Sequence, residues 1–208
     1  MFNKSINKVV KVMVFSDLFL SSGWGLIAPI LAIYIIKNIK GGDVEVAGIA
    51  TGIYWLVKSI LQLPIARYLD KNHGEKDDFF ALVFGTILAS LTPIGFIFAV
   101  LPWHIYFLQV IHALGVAMAV PSWSAIFTRH IKKGQEAFSW SLDSSFIGLG
   151  AGAAGFLGGI IAKIFGFIPL FIMVSVFGLT AAFLFLLIGK DILPRVPKDG
   201  VYSLPKHL

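Results

Sequence analysis

Apolar residues fill six long runs of the chain, separated by short polar stretches. The runs cover about residues 12–36, 46–69, 79–101, 105–127, 137–164 and 167–189. Each holds the roughly 20 mainly apolar residues that an α-helix needs to cross a bilayer. The connections between them, such as 37–45 and 70–78, are too short for a soluble domain. The pattern therefore predicts an all-α integral membrane protein. A bundle of six transmembrane helices spans 1–189, and a polar tail, 190–208, holds Pro194, Pro197 and Pro205. The first run is longer than the apolar region of a signal peptide, and no small-residue cleavage site follows it before Lys37, so it is read as a membrane helix.

Composition agrees with this reading. The 208 residues are 57% hydrophobic and 13% charged, against about 25% charged in soluble domains. The deficit is too large to hide in one soluble core. Cysteine is absent, which removes disulfides, thiolate metal sites and a cysteine nucleophile. The net charge of +6 would suggest nucleic acid only if the basic residues shared one soluble face. Instead they gather at helix ends. With the N-terminus placed in the cytoplasm, the inner side carries Lys4, Lys8, Lys11, Arg67, Lys71, Lys76, Arg129, Lys132, Lys133, Lys190, Arg195, Lys198 and Lys206. The outer side carries only Lys37, Lys40 and Lys163. That bias predicts a multi-pass protein of the cell or inner membrane with both termini cytoplasmic.

Ionisable side chains inside a membrane span cost ~3 kcal/mol or more and mark interior or aqueous paths. Four stand out: Asp17, Lys58, His112 and Asp143. Lys58 lies about 18 Å of helix rise from Asp70, too deep for easy snorkelling. Thr51, Trp55, Lys58 and Gln62 share its helix face, and Tyr54 sits one turn earlier. The face looks either into a cavity or at another subunit; alternatively Lys58 is a structural partner of a carboxylate. Asp17 shares a face with Ser21, Trp24 and Ala28 and suits either a proton carrier or a carboxylate wetted near the headgroups. Asp143, equally shallow, reads as wetted. Gln109, His112, Val116, Ala119 and Trp123 form a stripe in the fourth run, with His112 either a proton carrier or a hydrogen-bonded core histidine. The other histidines lie at run ends or in the tail, so no metal and no cofactor is predicted.

The fifth run has the strongest small-residue period. Ser141, Ser145, Gly148, Gly152, Gly155 and Gly159 recur at alternating spacings of four and three. Such stripes let two helix backbones approach closely in lipid. Gly148, Gly152, Gly155 and Gly159 are therefore predicted to form a helix-packing interface, within the bundle or with a partner.

These residues resemble the major facilitator superfamily. The segment from Gln62 to Gly74 is similar to the family's loop motif of Gly-x-Leu-Ala-Asp-Arg-x-Gly-Arg form, with Asp70 and Lys71 in the acidic and basic places and Gly74 one residue late. The acidic run Glu75, Asp77 and Asp78 replaces its basic end. The run Gly150 to Gly159 resembles a Gly-x-x-x-Gly-Pro-x-x-Gly-Gly motif described for antiporters, with Ala154 and Gly155 where Gly and Pro would stand. Trp24 to Pro29 is similar to the family's Gly- and Pro-containing first helix, and Gln109 stands where many members carry arginine.

The resemblance covers one six-helix half of a typical twelve-helix member, with a substrate path between halves. It implies a secondary active transporter of a small solute, with proton coupling as one option and no enzymatic activity, built as a parallel homodimer. Helices 1 and 4 would line the path with Asp17, Trp24, Gln109, His112 and Trp123. Helix 2 would pack on the partner's helix 5, and Asp70, Lys71 and Gly74 would gate. Tyr54, Lys58 and Gln62 join the expected substrate or proton pathway on their helix face. Two alternatives stand beside this: a non-transporting membrane subunit or scaffold, and one half of a split or longer transporter. No phosphate-binding loop, nucleophile elbow or zinc-protease motif is present.

Overall fold

A computed structural model describes residues 6–71 and 75–193 of the chain. It is helical, and six helices are long and apolar enough to cross a membrane. The first predicted run is not one helix. It divides into α1, Lys8–Ile27, and α2, Leu31–Asn38, around a turn at 28–30. Pro29 explains the division, because it has no N–H to donate and its ring crowds the carbonyl one turn back. The remaining elements are α3 (Val44–Lys71), α4 (Glu75–Ile97), α5 (Pro102–His130), α6 (Glu136–Phe165), α7 (Phe167–Leu187) and a single turn, α8 (Gly189–Ile192).

Local chemistry sets the ends. The Asn7 side chain accepts from Val9 N–H at 3.0 Å and starts α1. The third predicted run reached 101, but α4 stops at Ile97 and α5 begins on Pro102. There His104 Nδ1 accepts from the N–H groups of Val100 and Leu101 at 3.0 and 3.1 Å, and Lys40 N–H reaches Val100 O at 2.9 Å. A single residue, Gly166 with φ +81°, joins α6 to α7; only glycine adopts that backbone easily. Tyr34 Oη donates to the Phe96 carbonyl at 2.5 Å, tying the short α2 to the end of α4.

Around the bundle, neighbouring helices follow the order α3, α5, α4, α7, α1, α6, and α1 meets α5 only marginally. The six helices thus form an arc with one side open. Two apolar clusters fill it. One lies near the α2 end and includes Tyr34, Phe96, Ile105, Leu170 and Phe171. The other, around Met13, Leu82, Ile126, Phe127 and Phe185, lies at the end that carries Lys8, Lys71 and Arg129, here called the basic end. Between them the helices approach through small residues: a Cβ on Gly115 would lie 2.7 Å from Gly85 O and Ala89 N. Outward faces carry Leu56, Phe84, Phe98, Phe107, Phe156 and Phe183, all well exposed. That arrangement suits a hydrocarbon solvent and no aqueous one.

The basic end is pinned by charge. Arg129 of α5 pairs with Asp78 of α4, whose side chain is 1% exposed, and also reaches Glu75. His130 Nδ1 lies 3.6 Å from Glu75. The acidic run 75–78 therefore serves the start of α4, where anions suit the helix dipole, and clasps the end of α5. The first residues of the predicted tail also pack: Ile192 is buried, and Lys8 Nζ donates to Asp191 Oδ2 at 2.8 Å.

Candidate functional site

The open side of the arc is a cleft between α1 and α6 on one flank and α3 and α5 on the other. It has two connected chambers that share Leu20, Thr86, Ala119 and Val120. The chamber nearer α2 has a volume of about 470 Å³ and takes in Trp24, Tyr54, Trp55, Gln109 and His112. The chamber nearer the basic end, about 300 Å³, takes in Asp17, Trp123, Ser124, Trp140 and Asp143.

His112 is the centre of the first chamber. Its ring stacks on Trp24 of α1 at 3.9 Å between centroids, with 19° between planes. On the other face it stacks on Tyr54 of α3 at 4.7 Å and 17°. Three aromatic rings from three helices thus lie in parallel where α1 and α5 barely touch. Gln109, 5% exposed, lies about one turn along α5 from His112.

In the second chamber Trp123 stacks on Phe127 at 4.5 Å and meets Trp140 edge-on at 5.9 Å. Among the described residues its indole N–H has no hydrogen-bond partner. Asp17 and Asp143 line this chamber together, within electrostatic reach of one another. Asp143 is 4% exposed, and among the described residues its Oδ1 has no hydrogen-bond partner. The expectation that Asp143 is wetted near the headgroups is therefore wrong: α6 turns it inward against α1. Trp140, one turn earlier on α6, was likewise missed; the signal was its three-residue spacing from Asp143.

The other expected residues lie elsewhere. Lys58 is half-buried on α3, outside the residues lining the cleft, with Nζ 4.9 Å from the Trp55 ring centroid. Among the described residues no carboxylate lies within 4.0 Å of it. Gln62 is half-buried one turn further along. Asp70 and Lys71 are exposed at the end of α3, and Gly74 lies outside the described residues. Among the described residues no three His, Asp or Glu side chains converge as a metal site.

The glycine stripe of α6 does not serve the bundle. A Cβ on Gly148, Gly152 or Gly159 would meet nothing within 4 Å, and on Gly155 only Gly25 O at 3.7 Å. A second register, interleaved with the first, makes the seam with α1. Gly150 would meet Ser22 Oγ at 2.7 Å and Leu18 Cδ1 at 2.9 Å, and Gly158 would run into the Leu26 backbone. Ala154 is buried between them. From the α1 side, Gly25 faces Ala151.

Comparison with known proteins agrees with this architecture. An uncharacterized MFS-type transporter of Methanocaldococcus jannaschii is 25% identical over 179 residues, which is 86% of this chain and 45% of the relative. The chain thus spans about half the length of the curated relative it matches. The family model for the Major Facilitator Superfamily matches residues 13–205. With six membrane-length helices in this order and a match over nearly its whole length, the chain is a multi-pass membrane protein that belongs to the major facilitator superfamily.

Proposed function

We propose that the chain is one six-helix half of a secondary transporter, and that a second copy in parallel orientation completes it. The basic end faces the cytoplasm, and a small solute moves along the cleft between the two halves. One observation carries this reading: α3 and α6, which bound the open cleft, are the least buried of the spans, at 17% each against 39–50% for the others. A six-helix bundle alone would leave the polar side chains that line its cleft, such as Asp17 and Thr51, to lipid, which hydrogen-bonds nothing in the hydrocarbon region. A second arc facing the first encloses it. Lys58, on the exposed side of α3, then finds its surroundings in the partner's α6, and Gly148, Gly152 and Gly159 receive the partner's α3.

The relative's greater length favours a second reading, in which the completing half is a non-identical six-helix unit. Cross-linking separates the two. With no native cysteine, Gly48→Cys at the outer end of α3 and Ala162→Cys at that of α6 are placed on differently tagged copies and co-expressed. A heterodimer band, weak for either variant alone, is expected for the homodimer, with solute flux in vesicles lowered at least tenfold by Lys58→Ala. The absence of a band at these and neighbouring pairs would refute the homodimer and leave the non-identical half. Undiminished flux in Lys58→Ala would remove Lys58 from the path.

A further inference from the structure

The chemistry of the cleft narrows its solute, an inference that rests on the cleft being the path proposed above. Asp17 and Asp143 share one chamber, and among the described residues no Lys or Arg lines either chamber. Among the described residues neither carboxylate has an ion-pair partner within 4.0 Å. Asp143 is nearly inaccessible and keeps an unpartnered oxygen, in an interior where polar groups are ordinarily matched. The unpartnered, buried indole N–H of Trp123 lies in the same chamber.

Each class of solute meets these walls differently. An anion would face two carboxyl groups, with no basic side chain among the described residues lining the chambers to offset them. A sugar or other polyol needs many donors and acceptors in close array, and the walls are largely carbon, although Tyr54, His112 and the indole N–H groups join Thr51, Thr86, Gln109 and Ser124 among their polar groups. A cation is drawn by the carboxylates, and more strongly in an apolar cleft than in water. The ring faces of the Trp24–His112–Tyr54 stack attract a positive charge or accept a flat aromatic body. We infer that the cleft takes organic cations with an aromatic or apolar body. The charged centre seats between Asp17 and Asp143, and the body extends past Leu20 and Ala119 to the aromatic chamber.

The test is binding of radiolabelled tetraphenylphosphonium to the full chain in lipid nanodiscs, with empty nanodiscs subtracted. Saturable binding is expected, competed by tryptamine but at least tenfold less well by the neutral triphenylphosphine oxide. Asp143→Asn should weaken it at least tenfold, Asp143→Glu should restore part of the loss, and Trp24→Leu should weaken it several-fold. Each variant is first checked for a single symmetric size-exclusion peak; where Asp143→Asn fails that check, Asp17→Asn carries the comparison. Absence of saturable binding, equal competition by the neutral compound, or unchanged affinity in folded Asp→Asn variants would overturn the inference. The cysteine pair is assayed on the same preparations. A cross-link without cation binding sinks the cation assignment and leaves the paired transporter intact. Charge-selective binding without a cross-link upholds cation recognition and refutes the homodimer.

Discussion

Replacing Gly25 by alanine tests the tightest claim about the bundle, that α1 and α6 cross backbone to backbone. A Cβ at Gly25 would lie 2.8 Å from both Cα and O of Ala151 and 3.1 Å from Ala154 Cβ. These neighbours are backbone atoms and a methyl group, and none can rotate aside. Relief requires the two helices to part by ~0.6 Å, which loosens every contact along the seam. Overpacking of this kind costs about 1–3 kcal/mol. Gly→Ala in a helix also returns up to about 1 kcal/mol of propensity, which obscures a single measurement. Gly152→Ala is the matched control, since its Cβ meets nothing within 4 Å. The propensity gain is common to both variants, so their difference isolates the crossing. Gly25→Ala should melt roughly 5 °C below Gly152→Ala, followed by size-exclusion of heated samples at dilutions where single copies dominate. Equal melting, or a more stable Gly25→Ala, would refute the close crossing and with it the assignment of Gly150, Ala154 and Gly158 as the inner face.

Three further outcomes follow from contacts already described. Arg129→Gln leaves the buried Asp78 without its cation and should lower stability by about 2–3 kcal/mol. Adding Asp78→Asn should recover much of that, and strict additivity of the two losses would show the pair uncoupled. Tyr34→Phe removes the hydroxyl that meets Phe96 O and should cost about 1 kcal/mol in the same melting assay; no change would mean α2 is held by packing alone. His112→Ala removes the middle ring of the three-ring stack, so tryptophan emission should shift to the red as water reaches Trp24. An unshifted spectrum would show that the stack does not shield it.

Most of the fold was legible because a membrane span is written in composition: a long apolar run admits little but a helix. The misreadings share a physical cause. The first run looked continuous because hydropathy does not register Pro29, whose effect is on backbone geometry. Asp143 looked shallow because depth follows from sequence position, whereas the direction of a side chain depends on which neighbour its helix packs against. For the glycines of α6 the expectation left open whether the seam lay within the bundle or with a partner, and periodicity could not choose. Two small-residue registers run along that helix, and periodicity favours the richer one, Gly148, Gly152, Gly155 and Gly159. The bundle uses the sparser one, because Gly150 and Gly158 are the two that α1 presses against. The aromatic stack was beyond sequence for another reason: Trp24, Tyr54 and His112 lie on three helices, and only the arc brings them together.

The unused register then acquires a meaning from its place on α6. Advancing round the helix at 100° per residue, the cleft-lining Trp140 and Ile147 come first, the stripe of Ser141, Ser145, Gly148, Gly152 and Gly159 next, and Leu149, Phe156 and Ile160 after it. The last group is large, apolar and well exposed, Leu149 at 70% and Phe156 at 75%, as befits a surface against lipid. The stripe is exposed too, yet it is small and partly polar, unlike the exposed faces of α4 and α7, which present Phe80, Phe84, Ile172 and Phe183. Lipid gives no reason for two neighbouring strips of one helix to differ so much in size. A helix seated against the stripe does, since small residues permit close backbone approach. Because the stripe lies between the cleft wall and the lipid face, a helix seated there closes the cleft from the membrane. On the proposed pairing, occupation of the stripe and enclosure of the Asp17–Asp143 chamber are one event, and a bulky residue at Gly152 should disturb both.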